Sequence, residues 1–500
     1  MADYDRILAD AARRWPDKAA LLAGAAVHTY AEVAATVDAV AAALAARGVR
    51  AGDRVALCLG NDPEWVFAFF ALSRLRASAV MMSTAWMAHE IGHAFAVTGP
   101  TAVIADAAKA PLIDEAGRPA LAILAGADAD GRPGWHPFAE LTAGGSPAPP
   151  RDPADPSGSE LALPFSSGTT GLPKAVRHTH RSLTVATIQW RDALGVTDGD
   201  RLQALTPLSH ILGIVNVGAT FAAGATIRLF RKFSPRTMIE SFEADRITIG
   251  MTVAPIAAAL AAMGDLERFR LDSLRYLNWS ATPVNQDIAR EVTRRTGIGW
   301  VPAYGTTEVP ILAVNPVDRL PRTRLDSVGL PPPGVEIEAV DPATGAFLPR
   351  GATGELVARS PAAMSGYLPA GGPSPFLDGG WYRTGDIGHV EPEGWVVVTD
   401  RLKDLIRVSG HQVSPVEVET VLAASPLVAD CAVFGAPDDR RGEVACAAVV
   451  PAAGWEPDAD AIRAWLAERL APYKLPRDVH FVARIPRTAS GKVQRRLLRP

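Results

Sequence analysis

The sequence predicts an α/β protein: a large N-terminal domain of mixed α/β subdomains, a small β-rich subdomain at its end, and a small α+β C-terminal domain. Three observations carry this. The 500 residues are too many for one ordinary core, so about two to four domains are expected. Over the first 400 residues, short β-rich runs alternate with helical stretches, the pattern of mixed or parallel sheets covered by helices. The texture then changes, after Leu325 to short strands with Gly and Pro turns, and after Asp400 to a compact α+β pattern. The expected division is residues 1–400, with the β-rich subdomain over about 325–400, and residues 401–500.

Taken in order, the alanine-rich stretch Tyr30 to Arg47 reads as a helix leading into the strand-like Arg54-Val-Ala-Leu-Cys-Leu. The turn formers Gly52-Asp53 and Gly60-Asn61-Asp62-Pro63 bound that strand. The same β-rich composition recurs at Thr101-Ala-Val-Ile-Ala, Ala225-Thr-Ile-Arg-Leu-Phe and Ile247-Thr-Ile-Gly-Met-Thr-Val. A Pro/Ser/Asp-rich loop between Pro147 and Ser159 precedes the apolar strand Leu161-Ala-Leu-Pro-Phe. In the later part, Gly354-Glu-Leu-Val-Ala, Gly394-Trp-Val-Val-Val and Cys431-Ala-Val-Phe read as strands, and Asp458 to Leu470 as a helix.

Apolar residues make up 48% and charged residues 21%, the balance of a soluble globular protein. A net charge of −4 offers no attraction for nucleic acid or an anionic membrane. The three cysteines, Cys58, Cys431 and Cys446, form no Cys-x-x-Cys pair, so a disulfide framework or zinc site is not expected and a reducing cytoplasm is. Met-Ala-Asp-Tyr-Asp-Arg at the start lacks the basic and apolar regions of a secretion signal. From Leu202 to Ile227 there are 26 residues without a formal charge, above the roughly 20 that span a bilayer. Pro207, Ser209, His210, Asn216 and three glycines interrupt the stretch. It is expected to be buried core, with no membrane span.

Phe165-Ser-Ser-Gly-Thr-Thr-Gly-Leu-Pro-Lys174 follows an apolar strand. Ser166, Ser167, Thr169, Thr170 and Lys174 supply donors, and Gly168 and Gly171 allow close backbone approach, which together suit phosphate oxygens. The spacing is not Walker A, because Leu172 and Pro173 separate the last glycine from the lysine. Ser166-Ser-Gly-Thr-Thr-Gly-Leu-Pro-Lys174 resembles the phosphate-loop signature of the adenylate-forming superfamily. That family holds acyl- and aryl-CoA synthetases, peptide-synthetase adenylation domains and beetle luciferases. Ala175 stands where it commonly has glycine.

The resemblance extends over nearly the whole chain. Tyr304-Gly305-Thr306-Thr307-Glu308 is similar to the next core motif, which implies that Tyr304 stacks on adenine, Thr307 binds the α-phosphate and Glu308 holds Mg²⁺. Those residue types suit the tasks, since an aromatic face supports a purine and a carboxylate ligates a hard cation. Tyr382-Arg-Thr-Gly-Asp386 resembles the motif whose aspartate accepts from both ribose hydroxyls. Asp400-Arg401-Leu-Lys403-Asp404 resembles the hinge, with Arg401 at the ribose and Lys403 the pivot of a mobile C-terminal domain. Arg407, Ser409, Gly410 and His411 are implied on the face that admits the CoA thiol, and Gln412 as a phosphate-side donor. Pro486-Arg-Thr-Ala-Ser-Gly-Lys492 resembles the C-terminal motif that carries the catalytic lysine.

Adenylation brings a carboxylate onto the α-phosphorus of ATP, two anions together, so positive charge must sit where negative charge accumulates. Lys492 is the group expected to bridge carboxylate and α-phosphate. The surrounding arginines, Arg484, Arg487, Arg495, Arg496 and Arg499, lack the aromatic interleaving of an RNA-binding tail. The resemblance implies ATP, Mg²⁺ and CoA as reactants and a small carboxylic acid as substrate, with a carrier-protein thiol as the rival acceptor. Carrier-loading relatives usually carry an extra segment before the C-terminal domain, and Asp386 to Arg401 leaves no room for it.

Pro207-Leu-Ser-His210-Ile-Leu-Gly213 corresponds to the segment flanking the carboxylate in the CoA-ligase branch, which implies that His210 packs over the acyl pocket and gates thiol entry. Ser209-His210 offers no aspartate for an α-ammonium group, which argues against an amino acid. Leu212 stands where coumarate-type ligases often have tyrosine, which counts against a hydroxycinnamate. The pocket is expected to be apolar and to involve Ile211, Leu212, Asn216, Ser280, Ala281 and Ala303. Trp279 departs from the family's usual small residues there, and both pocket shaping and core packing fit it.

Overall fold

A computed structural model describes residues 3–126, 132–143, 148–150, 154–166, 173–231, 234–282, 284–320, 323–371, 374–408, 411–438, 441–487 and 493–498. It is a mixed α/β structure with a large N-terminal domain and a smaller C-terminal one, and four sheets organise the described residues. The first runs Ala313–Val314, Trp300–Tyr304, Tyr276–Trp279, Ile249–Thr252, Arg201–Ala204, Thr226–Leu229, Ala19–Ala23, Ala26–Thr29. Its inner strands are parallel. The second runs Gly366–Leu368, Lys174–Thr179, Glu160–Ser166, Ser78–Met81, Arg54–Cys58, Ala102–Asp106, Leu121–Ala125, His136–Pro137.

These two sheets face one another across a helical layer. One continuous core joins Leu21, Ile227 and Val301 of the first to Val55, Leu57 and Ile104 of the second. Between them lie the helices Tyr30–Ala46, Pro63–Leu75, His180–Ala193 and Ile211–Ala223, whose Trp65, Phe69, Phe70, Trp190 and Phe221 are fully buried. A helix covered on all sides has no face for charge. That is why Leu202 to Ile227 carries none: it forms the strand Arg201–Ala204, the helix Ile211–Ala223 and the strand Thr226–Leu229. Among the described residues no helix is long and apolar enough to cross a membrane.

A third sheet, of Glu336–Val340, Gly354–Arg359, Trp381–Val390, Phe376–Leu377 and Val396–Arg401, forms the β-rich part. The Gly394 strand expectation is shifted here. Glu391 to Gly394 makes a turn with Gly394 at φ +91°, so the strand begins at Val396. The fourth sheet, His411–Val413, Ile406–Val408, Gly442–Pro451, Val428–Asp438 and Asp478–Phe481, carries the helices Pro415–Ala423 and Ala459–Ala467. Asp458 lies outside the second helix as its cap, its carboxylate accepting from the Asp460 and Ala461 amides.

Candidate active site

Parallel strands deliver their loops to the carboxyl edge of the sheet, where ligands of open α/β sheets bind. In the first sheet, Arg201–Ala204 leads to His210, Tyr276–Trp279 to Ser280 and Ala281, and Trp300–Tyr304 to Gly305, Thr306, Thr307 and Glu308. Gly305 is a steric requirement, since a Cβ there would collide with the Pro310 carbonyl. Thr306 closes this turn by exchanging bonds with Val309, its amide donating at 2.9 Å and its Oγ1 accepting at 3.0 Å.

The third sheet brings Asp386 to the same turn. The Tyr304 hydroxyl donates to Asp386 Oδ2 at 2.6 Å, and Arg401 Nε donates to Oδ1 at 2.9 Å. Asp386 and Arg401 face each other across paired antiparallel strands, which sets the second contact by register. Burial and the neighbouring Asp386 carboxylate hold the Tyr304 phenol well above its ordinary pKa, so it stays a donor.

On the other side of the turn stands Glu308, buried, with Oε1 accepting from the Tyr367 hydroxyl at 2.9 Å. Lys174 Nζ lies 5.5 Å from the centre of the Tyr367 ring, a cation–π contact. Lys174 is paired in register with Ser166, so the residues that bound the glycine-rich segment lie next to each other, with Lys174 at the Tyr367 ring. Ser167, Gly168, Thr169, Thr170 and Gly171 lie outside the described residues. His178, fully buried, donates from Nε2 to the Thr307 carbonyl at 2.8 Å, and its Nδ1 accepts from Ser182 Oγ at 3.1 Å. Burial lowers the imidazole pKa to about 4, so the ring is neutral.

A cavity of about 40 Å³ adjoins this cluster, lined by His210, Ile211 and Leu212, by Ser280, Ala281 and Ala303, by Tyr304 to Thr307, and by Trp190 and Pro310. His210 caps the helix Ile211–Ala223: its Nδ1 accepts from the Leu212 amide at 3.3 Å, which leaves the ring proton on Nε2. A Cβ at Gly213 would strike Pro207 and Leu208, so this turn packs against the segment before it. A larger cleft, about 390 Å³, opens at the amino edge of the same sheet beside Arg290, Arg294 and Trp300. Its described lining has no carboxylate and none of the loops that follow the parallel strands.

Two expected pocket residues do not line the cavity. Trp279 is fully buried, its ring 5.1 Å from that of Trp300 and its Nε1 bonded to Thr282 Oγ1 at 3.1 Å; it points to the far face of the sheet, so of its two readings core packing holds. Asn216 is also fully buried and stands behind Trp190, whose indole Nε1 donates to its Oδ1 at 2.6 Å. The sequence reading did not find Trp190, Tyr367, His178 or Asn61. Asn61 accepts from the Leu208 amide at 2.8 Å and donates to the Thr206 carbonyl at 3.1 Å, holding the His210 segment against the second sheet. Gly60-Asn61-Asp62-Pro63 reads as a turn, and a turn motif carries no signal for a clamp on another sheet.

In the C-terminal part, Lys403 and Arg407 are exposed, and the Arg407 amide donates to Glu443 Oε2 at 2.8 Å. His411 and Gln412 pair with Val408 and Arg407 in a hairpin; their side chains, like Ser409, Gly410 and Lys492, lie outside what is described. The segment bearing Lys492 is flanked by a bridge between Arg487 and Val493 and by the Gln494 amide on the Pro486 carbonyl at 2.8 Å. Arg495 binds Glu419 Oε1 at 2.7 Å and Arg487 binds Asp430 Oδ1 at 2.8 Å, so part of the basic tail is spent inside the fold.

The profile of the AMP-binding enzyme family matches residues 8–368, and that of the AMP-binding enzyme C-terminal domain matches 417–492. The chain is 35% identical to 4-coumarate–CoA ligase 2 of Oryza sativa subsp. japonica, over 97% of this chain and 90% of the relative. The anthranilate CoA ligase AuaEII, solved with anthranoyl-AMP, superposes with a TM-score of 0.90 at 28% identity, over 99% of this chain and 96% of that one. The amide bond synthetase McbA from Marinactinospora thermotolerans gives 0.87 at 30% identity, over 99% of both chains.

Proposed function

The chain belongs to the AMP-binding enzyme family, and from that premise we propose that it is an ATP-dependent carboxylic acid–CoA ligase of the AMP-forming type. The observation that carries this is a convergence. Tyr304, Asp386 and Arg401 on one side, and Lys174, Tyr367 and Glu308 on the other, flank a single turn whose Thr306 and Thr307 open onto a cavity walled by Trp190, Ile211, Leu212, Ala281 and Ala303 as well as by the polar His210 and Ser280.

Each residue has chemistry to match. A carboxylate offers about four acceptor sites. Asp386 uses two on Tyr304 and Arg401, which leaves capacity for the two ribose hydroxyls. Tyr304, tethered through its hydroxyl, presents its ring to adenine. Ser166, the glycine-rich segment from Ser167 to Gly171, and Lys174 bind the phosphates, and Thr307 meets the α-phosphate. Mg²⁺ suits a site with one carboxylate and substrate phosphates, and among the described residues there is no cluster of three or more ligand side chains. Glu308 would hold it, and the ion would neutralise phosphate charge. The acid enters beside Ile211, Leu212, Ala281 and Ala303, with its carboxylate at His210 and Thr307. Lys492 bridges the carboxylate and the α-phosphate during adenylation.

We place the domain boundary after Asp400, with Lys403 as the pivot. Rotation then withdraws Lys492 and brings the face with Arg407, Ser409, Gly410 and His411 to the acyl-adenylate, Gln412 lying beside it. His210 gates the pantetheine thiol. We place the enzyme in a reducing cytoplasm, a reading that rests on the sparse cysteines and the lack of a Cys-x-x-Cys pair in the sequence. The substrate is an apolar or aromatic acid.

The test incubates pure protein with ATP, Mg²⁺ and a panel of fatty acids, benzoates, cinnamates and alicyclic acids, following pyrophosphate with and without CoA. Multiple turnovers that require CoA support the assignment. A single burst that CoA does not extend, but a carrier protein or an amine does, overturns the acceptor and keeps the adenylation.

A further inference from the structure

Trp190 and Asn216 sit on the two packed helices His180–Ala193 and Ile211–Ala223. Trp190 is only 1% exposed, yet its indole forms part of the cavity wall beside Ile211 and Leu212. The 2.6 Å bond from indole Nε1 to Asn216 Oδ1 fixes the ring in one orientation. Asn216 follows Leu212 by four residues, so it lies on the same helix face one turn deeper. Its Nδ2 has no hydrogen-bond partner among the described residues, although the side chain is fully buried. A buried donor left unpaired is rare and costly. Here it lies behind a rigid aromatic wall, in a cavity of about 40 Å³ where the place of each wall residue decides what fits.

We infer that Trp190, locked by Asn216, is the specificity-determining floor of the acyl pocket and confines the enzyme to compact apolar acids of about one ring. This rests on the acid-activating reading above. An aliphatic floor could rotate aside for a longer chain, but an indole tied at Nε1 must break a buried bond to move. Removing the ring would both lengthen the pocket and uncover the Asn216 amide. The lengthened pocket would then favour acids that carry a hydrogen-bond acceptor at their far end.

The experiment measures dissociation constants of the full chain for acyl-sulfamoyl adenosines, stable mimics of the acyl-adenylate, with benzoyl, biphenyl-4-carbonyl and 4-benzoylbenzoyl groups. Wild type is expected to bind the benzoyl mimic at least about 10-fold more tightly than either longer one, in line with the discrimination that pocket size provides. Trp190→Ala should abolish that step and prefer the 4-benzoylbenzoyl mimic, whose ketone reaches Asn216, and Trp190→Ala/Asn216→Leu should lose the preference. Trp190→Phe, a milder change, should shrink the step. AMP affinity, unchanged throughout, reports an intact nucleotide half. An unchanged length preference in either Trp190 variant, or a wild type that binds long and short mimics alike, overturns the proposal. Thioester formation plays no part in the readout. A chain with this length dependence that makes no acyl-CoA would refute the CoA acceptor and leave the Trp190 assignment standing.

Discussion

A neutral imidazole buried beside the turn Gly305 to Glu308 makes the local structure sensitive to acid. His178 has a pKa of about 4 in the fold against an ordinary 6.5, with burial as the cause. Above pH 6.5 neither state holds the proton and the full stability is present. As pH falls from 6.5 towards 4 the unfolded chain takes up the proton first, so stability is lost across that window. His178→Gln keeps a donor for the Thr307 carbonyl and removes the titration. Urea denaturation at pH 7 and pH 5 should show wild type losing about 2 kcal/mol more than the variant. Equal losses would mean that His178 is not held neutral. Ala281, on the cavity wall, has φ +65°, a left-handed conformation in a residue with a Cβ. That costs about 1–2 kcal/mol, and glycine restores about 0.5–1 kcal/mol of unfolded-state entropy. Ala281→Gly should therefore raise stability by up to about 1.5 kcal/mol in thermal unfolding, and a fall would show the turn to be unstrained.

At the scale of elements, the site depends on one loop holding another. Asn61 follows the strand Arg54–Cys58 of the second sheet, and its side chain clamps Ala204, the last residue of a strand of the first, together with Thr206 and Leu208 just beyond it. Gly213 then lets the next helix settle against Pro207, and His210 caps that helix from the pocket side. Asn61→Ala leaves the Leu208 amide and two carbonyls without their partner in a buried place, at a cost of about 1–3 kcal/mol. Its kcat for thioester formation should fall by up to about 10²-fold, the loss that a misplacement of about 1 Å can produce, with KM for ATP unchanged. Asn61→Asp, which can still accept from the Leu208 amide, should lie between. A variant with wild-type kcat would show that His210 needs no such support.

For the whole molecule, the proposed function asks two chemistries to share one pocket, and the proposed domain rotation would divide the labour. The residues proposed for the adenylate site come from the first three sheets, whereas Lys492 and the segment Arg407 to Gln412 belong to the C-terminal part. Lys492→Ala should slow pyrophosphate release by about 10²–10³, the usual loss for one such stabilising group. Supplied with ready-made acyl-AMP and CoA, the same variant should form thioester at the wild-type rate. Equal loss in both half-reactions would sink the division.

What the sequence determined by itself were the contiguous strings that carry the family resemblance and the proposed function: Ser166 to Lys174, Tyr304 to Glu308, Tyr382 to Asp386, and Asp400 to Asp404. A loop that wraps a phosphate uses consecutive amides and hydroxyls, so its chemistry is written in order along the chain. The α/β architecture was legible for a similar reason, because periodicity and turn residues act locally. Tertiary structure alone decided which side chains line the cavity. Trp279 and Asn216 have plausible positions in sequence, yet one turns to the far face of its sheet and the other is screened by Trp190. Tyr367 reaches Glu308 from 59 residues away, His178 reaches Thr307 across 129, and Asn61 reaches Leu208 across 147. Such contacts follow from how sheets and helices pack, and a neighbour brought close only by packing leaves no mark in the local pattern of residues.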